Sequence, residues 1–337
     1  HPRNVSVASI NRQRRLSDFS SRGNQNDVCA PGERVTAGWL NGGSSTISGT
    51  SMACPWIAGL AALAVGAYLV VALFRLSFPF QLEWQEGGML QHVERLLRGE
   101  PLYAPPSLDF TPFIYPPLYY YLASLLALIT GPSLVTLRLI SIIASAGCLA
   151  LIYRLVHHRT DHRGLGLVAA GLFAATYRLS GAWLDVARVD SLFLCLLLAA
   201  IFLVHCRRAP TLDLVAGVLA AAAIFTKQIA LAVALPLMVA AFLLDRKKGW
   251  RFAIPLVLLT AAGHGALQLA SDGWYLYYVY ELPRNHALNA QLLGPFWLDG
   301  LLRPLPLATA VALGHLGYRL ARDRRRQAAI DLLLTAG

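Results

Sequence analysis

The sequence predicts an all-α polytopic membrane protein with about 8–9 transmembrane helices and an external re-entrant or juxtamembrane segment, preceded by a small, incomplete α/β fragment. Three observations support that reading. The 337 residues are 56% hydrophobic and 14% charged, with mean hydropathy +0.52, whereas soluble domains carry about 25% charged residues. From residue 57 onward, uncharged apolar runs alternate with short polar connections. Before that point the chain is polar and glycine-rich. The net charge of +11 is dispersed as small cationic clusters between the apolar runs, as the positive-inside rule requires. The partner expected for this charge is therefore a lipid bilayer and not a nucleic acid.

Residues 1–56 form the first domain on this reading and residues 57–337 the second. The first is punctuated by the turn signals Arg22-Gly23-Asn24, Ala30-Pro31-Gly32 and Asn41-Gly42-Gly43. Short strands are expected at Val5–Ala8 and Arg34–Ala37. From Ile57 to Phe74 there is no charge and only Tyr68 is polar; in helix, at about 1.5 Å per residue, this run nearly crosses a hydrocarbon core of about 30 Å.

The loop from Arg75 to Pro116 holds three arginines and five acids. Within it, Met89, Leu90, Val93, Leu96 and Leu97 recur at helical spacing opposite Gln91, His92, Glu94 and Arg95. That pattern predicts a surface helix over Glu86–Leu97. Leu118–Thr130 is apolar but short and is bounded by Pro116-Pro117 and Gly131-Pro132, which favours a re-entrant or interfacial helix. Spans follow at about residues 134–156, 164–182, 190–206, 211–226, 228–244, 251–270 and 303–320, and another begins near Gln327. The chain opens at His1 and stops inside an apolar run, so both ends are expected to be cut and the last helix truncated.

Cationic connections occur at His157-His158-Arg159 with Arg163, at Arg207-Arg208, at Arg246-Lys247-Lys248 with Arg251, and at Arg322 with Arg324-Arg325-Arg326. Their alternation with less basic loops puts all four in the cytoplasm. The same parity puts the amino-terminal fragment in the cytoplasm, and the acidic loop, the loop Trp183–Asp190 and residues 271–302 outside.

Phe19-Ser20-Ser21-Arg22-Gly23, Cys29-Ala30-Pro31-Gly32 and Thr46-Ile47-Ser48-Gly49-Thr50-Ser51-Met52-Ala53 resemble, in order and spacing, the last part of a subtilisin-like serine peptidase, over about residues 5–63. The resemblance implies that Ser51 corresponds to the nucleophile at the start of a buried helix. A serine nucleophile needs a histidine base held by a carboxylate, and that family places both before the serine. Only His1 precedes Ser51 here, and the family's Pro-His after the nucleophile is Pro55-Trp56. Peptidase activity is accordingly not expected, although a subtilisin-like endopeptidase is the alternative function.

Glu83-Trp84-Gln85-Glu86-Gly87-Gly88, Arg98-Gly99-Glu100-Pro101-Leu102-Tyr103 and Tyr115-Pro116-Pro117-Leu118-Tyr119-Tyr120 resemble the first external loop of GT-C glycosyltransferases, the polyprenyl-phosphate-dependent membrane enzymes. Arg138-Leu139, Ala187-Arg188-Val189-Asp190-Ser191-Leu192 and Thr226-Lys227-Gln228 continue the likeness over about residues 57–337. It implies transfer of a sugar from a polyprenyl-phosphate-linked donor on the external face. It also implies an acidic base near the start of the first external loop, with Glu86 first and Glu83 second. Asp190 and Asp185 are further candidates from the second external loop. The family's usual Asp-Glu pair is here Gln85-Glu86, and its lysine before the Pro-Pro pair is Tyr115, so Arg188 and Lys227 are the candidates for the donor phosphate.

No cofactor is specified, and a divalent metal ion is left open. His158 and His162 are four apart, but a solvated loop explains them better than a metal site. His264 is expected to pack between helices. Trp274, Tyr275, Tyr277, Tyr278, Tyr280, His286 and Trp297 form an aromatic set that interfacial anchoring explains. The five cysteines contain no CxxC and suggest neither a disulfide framework nor a zinc site.

Overall fold

The structure is a computed structural model that describes residues 7–18, 20, 28–38, 44–48, 50–207, 209–285, 293–306, 309–310 and 312–314. Two compact units divide the chain, one comprising His1–Arg75 and Leu149–Ser180, the other Leu76–Cys148 and Gly181–Gly337.

In the first unit, β1 (Val7–Ile10) pairs in parallel with β2 (Val28–Pro31), and β3 (Val35–Gly38) pairs antiparallel with β4 (Ser44–Ile47). Strands were expected near β1 and β3. The alternation at β2 and β4 is too short to stand out in sequence. Ser9 ties the adjoining loop down, its N–H donating to Ser20 Oγ (3.0 Å) and its Oγ lying 2.9 Å from Ser17 Oγ. The long apolar helix α1 (Thr50–Leu76) follows. It meets α5 (Arg163–Ala175) at Gly171, where a Cβ would lie 2.5 Å from Ala61 Cα. Only a glycine permits so close a crossing.

The second unit holds α2 (Gln85–Leu97), α3 (Leu118–Thr130), the first half of α4 (Leu134–Thr160), α6 (Asp190–Cys206), α7 (Pro210–Thr226), α8 (Leu231–Leu244) and α9 (Arg246–Ala270). Their ends are chemically marked. Gly131, at φ +79°, stops α3; Pro210 opens α7; and Asp245 caps α9 by accepting the Lys248 N–H at 2.9 Å. One core is aromatic: Met89, Val93, Tyr103, Tyr115, Tyr119, Tyr120, Tyr275 and Tyr278 are all buried there. The other is built mainly of alanines from α6, α7 and α8, with Phe252 and Leu256 of α9 packed against them. At one end of this helix set Lys248 pairs with Asp213 (3.3 Å) and donates to Val204 O (2.6 Å).

The chain is mostly helical. Among the described residues three helices are long and apolar enough to cross a membrane: Trp56–Leu76, Leu134–Thr160 and Arg246–Ala270. Leu118–Thr130, Arg163–Ala175, Asp190–Cys206, Pro210–Thr226 and Gln228–Leu244 are shorter apolar helices. The expected span at 164–182 is helical only to Ala175. The one expected from Gln327 lies outside the described residues, as does half of the one at 303–320.

Two expectations about faces are corrected. His92, placed on the polar side of a surface helix, is 2% exposed because Gly88 O and the Phe113 N–H satisfy its two ring nitrogens and Tyr120 stacks on it at 4.8 Å. Tyr275 and Tyr278 are core residues rather than interfacial anchors, since Tyr103 and the neighbouring aromatic rings enclose them. His286 lies outside the described residues.

Candidate functional site

Residues 181–189 run as a turn followed by a series of bends, with Arg188 N–H donating to Val186 O (2.7 Å) and Ser191 Oγ to Leu184 O (2.7 Å). They deliver Arg188 next to Asp190, the first residue of α6, where the helix dipole favours a carboxylate. Arg188 Nε donates to Asp190 Oδ2 (2.9 Å) and Nη1 to Glu83 Oε1 (2.9 Å). Its guanidinium carbon lies 4.2 Å from the Trp183 ring centroid, and Nη2 reaches Tyr115 Oη at 3.5 Å.

Lys227 completes the cluster. Helix α7 ends at Thr226 and Lys227 is extended, so its side chain leaves the helix and Nζ donates to Asp190 Oδ1 at 2.7 Å. Gln228 secures this break, its Nε2 donating to Ile114 O (3.0 Å) and Val279 O (3.1 Å). Tyr103 Oη in turn holds Tyr115 O at 2.7 Å. The side chains are 6% (Arg188), 12% (Glu83), 16% (Asp190) and 23% (Lys227) exposed, so Lys227 is the more accessible of the two cations.

Glu86 has different surroundings. Its Oε1 accepts from Arg138 Nε (2.8 Å) and Ala187 N–H (2.8 Å), and its Oε2 from Arg138 Nη2 (2.7 Å) and Leu82 N–H (2.6 Å). Arg138 also donates to Phe78 O and Phe80 O. Burial pushes the Glu86 carboxyl up, but these donors together outweigh it and hold the group below its ordinary value. It is an ionised carboxylate already carrying four hydrogen bonds.

Of the residues expected from sequence, Glu83, Arg188, Asp190 and Lys227 thus meet in one cluster, while Glu86 is enclosed with Arg138. Asp185 is fully buried in the 181–189 segment. Ser51 falls in the first turn of α1, and its side chain is outside the described residues. Among the described residues no group of three or more His, Cys, Asp or Glu is placed to hold a metal ion. Sequence reasoning gave no role to Arg138, Trp183 or Gln228. Arg138 did carry a signal, because a lone arginine near the start of an apolar helix is costly unless it is paired.

Residues 115–271 match the family model described as dolichyl-phosphate-mannose-protein mannosyltransferase. That stretch contains Tyr115, Arg138, Arg188, Asp190 and Lys227 but not Glu83 or Glu86. Residues 3–71 match the subtilase family. Alkaline serine exoprotease A of Vibrio alginolyticus is 49% identical over 59 residues, 18% of this chain and 11% of that protein. Subtilisin-like protease 7 of Arthroderma otae is 46% identical over 65 residues, 19% of this chain and 16% of that protein. The cuticle-degrading serine protease of Arthrobotrys oligospora is 43% identical over 68 residues, 20% and 17% respectively. The chain therefore spans only about a tenth to a sixth of the length of these relatives. No solved structure matches it.

Proposed function

We propose that the chain from about residue 57 onward is a multi-pass membrane glycosyltransferase of the GT-C type. It moves a sugar from a polyprenyl-phosphate donor to an acceptor on the external face. The basic connections, and with them the amino-terminal fragment, lie in the cytoplasm. What carries this reading is the convergence of Arg188 and Lys227 with Glu83 and Asp190, four charges drawn from three separate segments. The mannosyltransferase match around three of them supports it, and the sugar in that family's name is mannose.

The chemistry needs a cation for the leaving phosphate and a carboxylate for the acceptor proton. Lys227, the more accessible of the cluster's two cations, receives the donor phosphate and releases Asp190 Oδ1. The freed carboxylate takes the proton of the acceptor hydroxyl as that oxygen bonds to the anomeric carbon. The anomeric C–O bond breaks, and its electron pair leaves on the phosphate beside Lys227 and Arg188. Glu83 holds Arg188 from the other side, and Glu86 with Arg138 fixes the start of α2.

Binding of decaprenyl phosphate in phosphatidylcholine vesicles tests the phosphate site. Lys227→Gln should weaken binding about 10-fold or more, a loss of about 1.4 kcal/mol. Lys247→Gln, in the exposed first turn of α9, should leave it unchanged. Equal affinity in both variants would remove the site.

A further inference from the structure

We propose that Cys148 and Cys195 are a disulfide-forming pair, a modification site that braces α4 against α6. The inference is independent of the glycosyltransferase reading. Five cysteines are scattered along the sequence, yet the fold brings these two together. Both are free thiols, and Cys195 Sγ packs against α4 at Gly147, the residue before Cys148.

The helices meet there because α4 presents small side chains one turn apart. Ser141, Ala144, Ser145 and Cys148 are all buried. Ser141 Oγ donates to Arg188 O (3.2 Å), and the Cys148 thiol lies 3.8 Å from Ser191 O, one turn before Cys195 on α6. Gly147 supplies the clearance, since a Cβ there would sit 2.7 Å from Cys195 Sγ. Cys148 is fully buried and Cys195 half-buried, so an oxidant reaches the pair through Cys195.

The reaction requires a lipid-soluble two-electron acceptor, a quinone or a diazenedicarboxamide. Two S–H bonds break and one S–S bond forms. The two protons and two electrons pass to the acceptor, which leaves as the quinol or hydrazine. The new bond pins α6 five residues after Asp190 and so fixes the crossing that seats that carboxylate.

The test treats the purified full chain with diamide. The protein is then denatured, alkylated with N-ethylmaleimide and weighed intact. The reduced protein takes five adducts, one per cysteine. The oxidised protein should take two fewer, with digestion joining Cys148 to Cys195 and the unfolding temperature raised by several degrees. Cys195→Ser should show neither change. Retention of all adducts, a link between other cysteines, or a Cys148–Cys195 link without a rise in unfolding temperature would overturn the proposal.

Discussion

Glu86 and Arg138 form a two-pronged ion pair at 2.8 and 2.7 Å in which neither side chain has any exposure, although 52 residues separate them. The pair joins the first turn of α2 to α4, and the Ala187 N–H on Glu86 extends the tie to the segment that carries Arg188. A carboxylate this enclosed acts through the geometry it holds.

Arg138→Met therefore leaves a buried, uncompensated carboxylate and should lower stability by about 3–5 kcal/mol. Adding Glu86→Gln removes the stranded charge and should recover part of that loss. Denaturant unfolding of the purified variants in detergent reads both effects. Independent, additive losses would show that the two side chains do not act as a pair.

His92 predicts a pH response. Burial is the main cause that lowers it from 6.5 to about 4, so the folded state holds a neutral ring while the unfolded chain takes up a proton first. The stability it contributes is complete above pH 6.5 and declines as the pH falls towards about 4. The loss should approach about 3 kcal/mol at the acid end. Unfolding free energies at pH 7, 5 and 4 should show this slope in the wild type and a shallower one in His92→Gln. Identical slopes would remove the assignment.

How much of this was legible in the sequence depends on range. Leu118–Thr130 has the expected limits because Pro117 and Gly131 are local signals, and α6 runs from Asp190 to Cys206 for similarly local reasons. The partner of Glu86 was not legible, since nothing near residue 86 points to Arg138. Periodicity placed His92 on a polar face, but it does not register the Phe113 N–H that makes burial tolerable. Tyr275 and Tyr278 misled for the opposite reason: aromatic residues at a membrane boundary and in a core have the same composition. Ser51 read clearly as a subtilase motif because the signal is a continuous run of residues, and residues 3–71 match that family.

In a protein of these 337 residues alone, Ser51 should behave as an ordinary serine. Its hydroxyl becomes nucleophilic only with a histidine base, and of these residues only His1 lies before it. A fluorophosphonate probe should leave the protein unlabelled. Stoichiometric labelling that disappears in Ser51→Ala would establish the peptidase reading instead.

Gln228 should matter through Lys227. Gln228→Leu removes the two donors that tie the α7 break to Ile114 O and Val279 O. Binding of decaprenyl phosphate should weaken about 10-fold, and adding Lys227→Gln should cost little more. Full additivity of the two substitutions would mean that Gln228 contributes only to folding.

The central claim is that Asp190, released from Lys227 by the donor phosphate, accepts the proton of the acceptor. It is tested most directly by the rate at which membranes containing the protein convert a polyprenyl-phosphate-linked mannose to polyprenyl phosphate. Asp190→Asn should lower that rate about 10²- to 10⁴-fold with the donor still bound, and Glu83→Gln should lower it less. Turnover within a few-fold of wild type in Asp190→Asn, with the variant folded and donor-bound, would contradict the account.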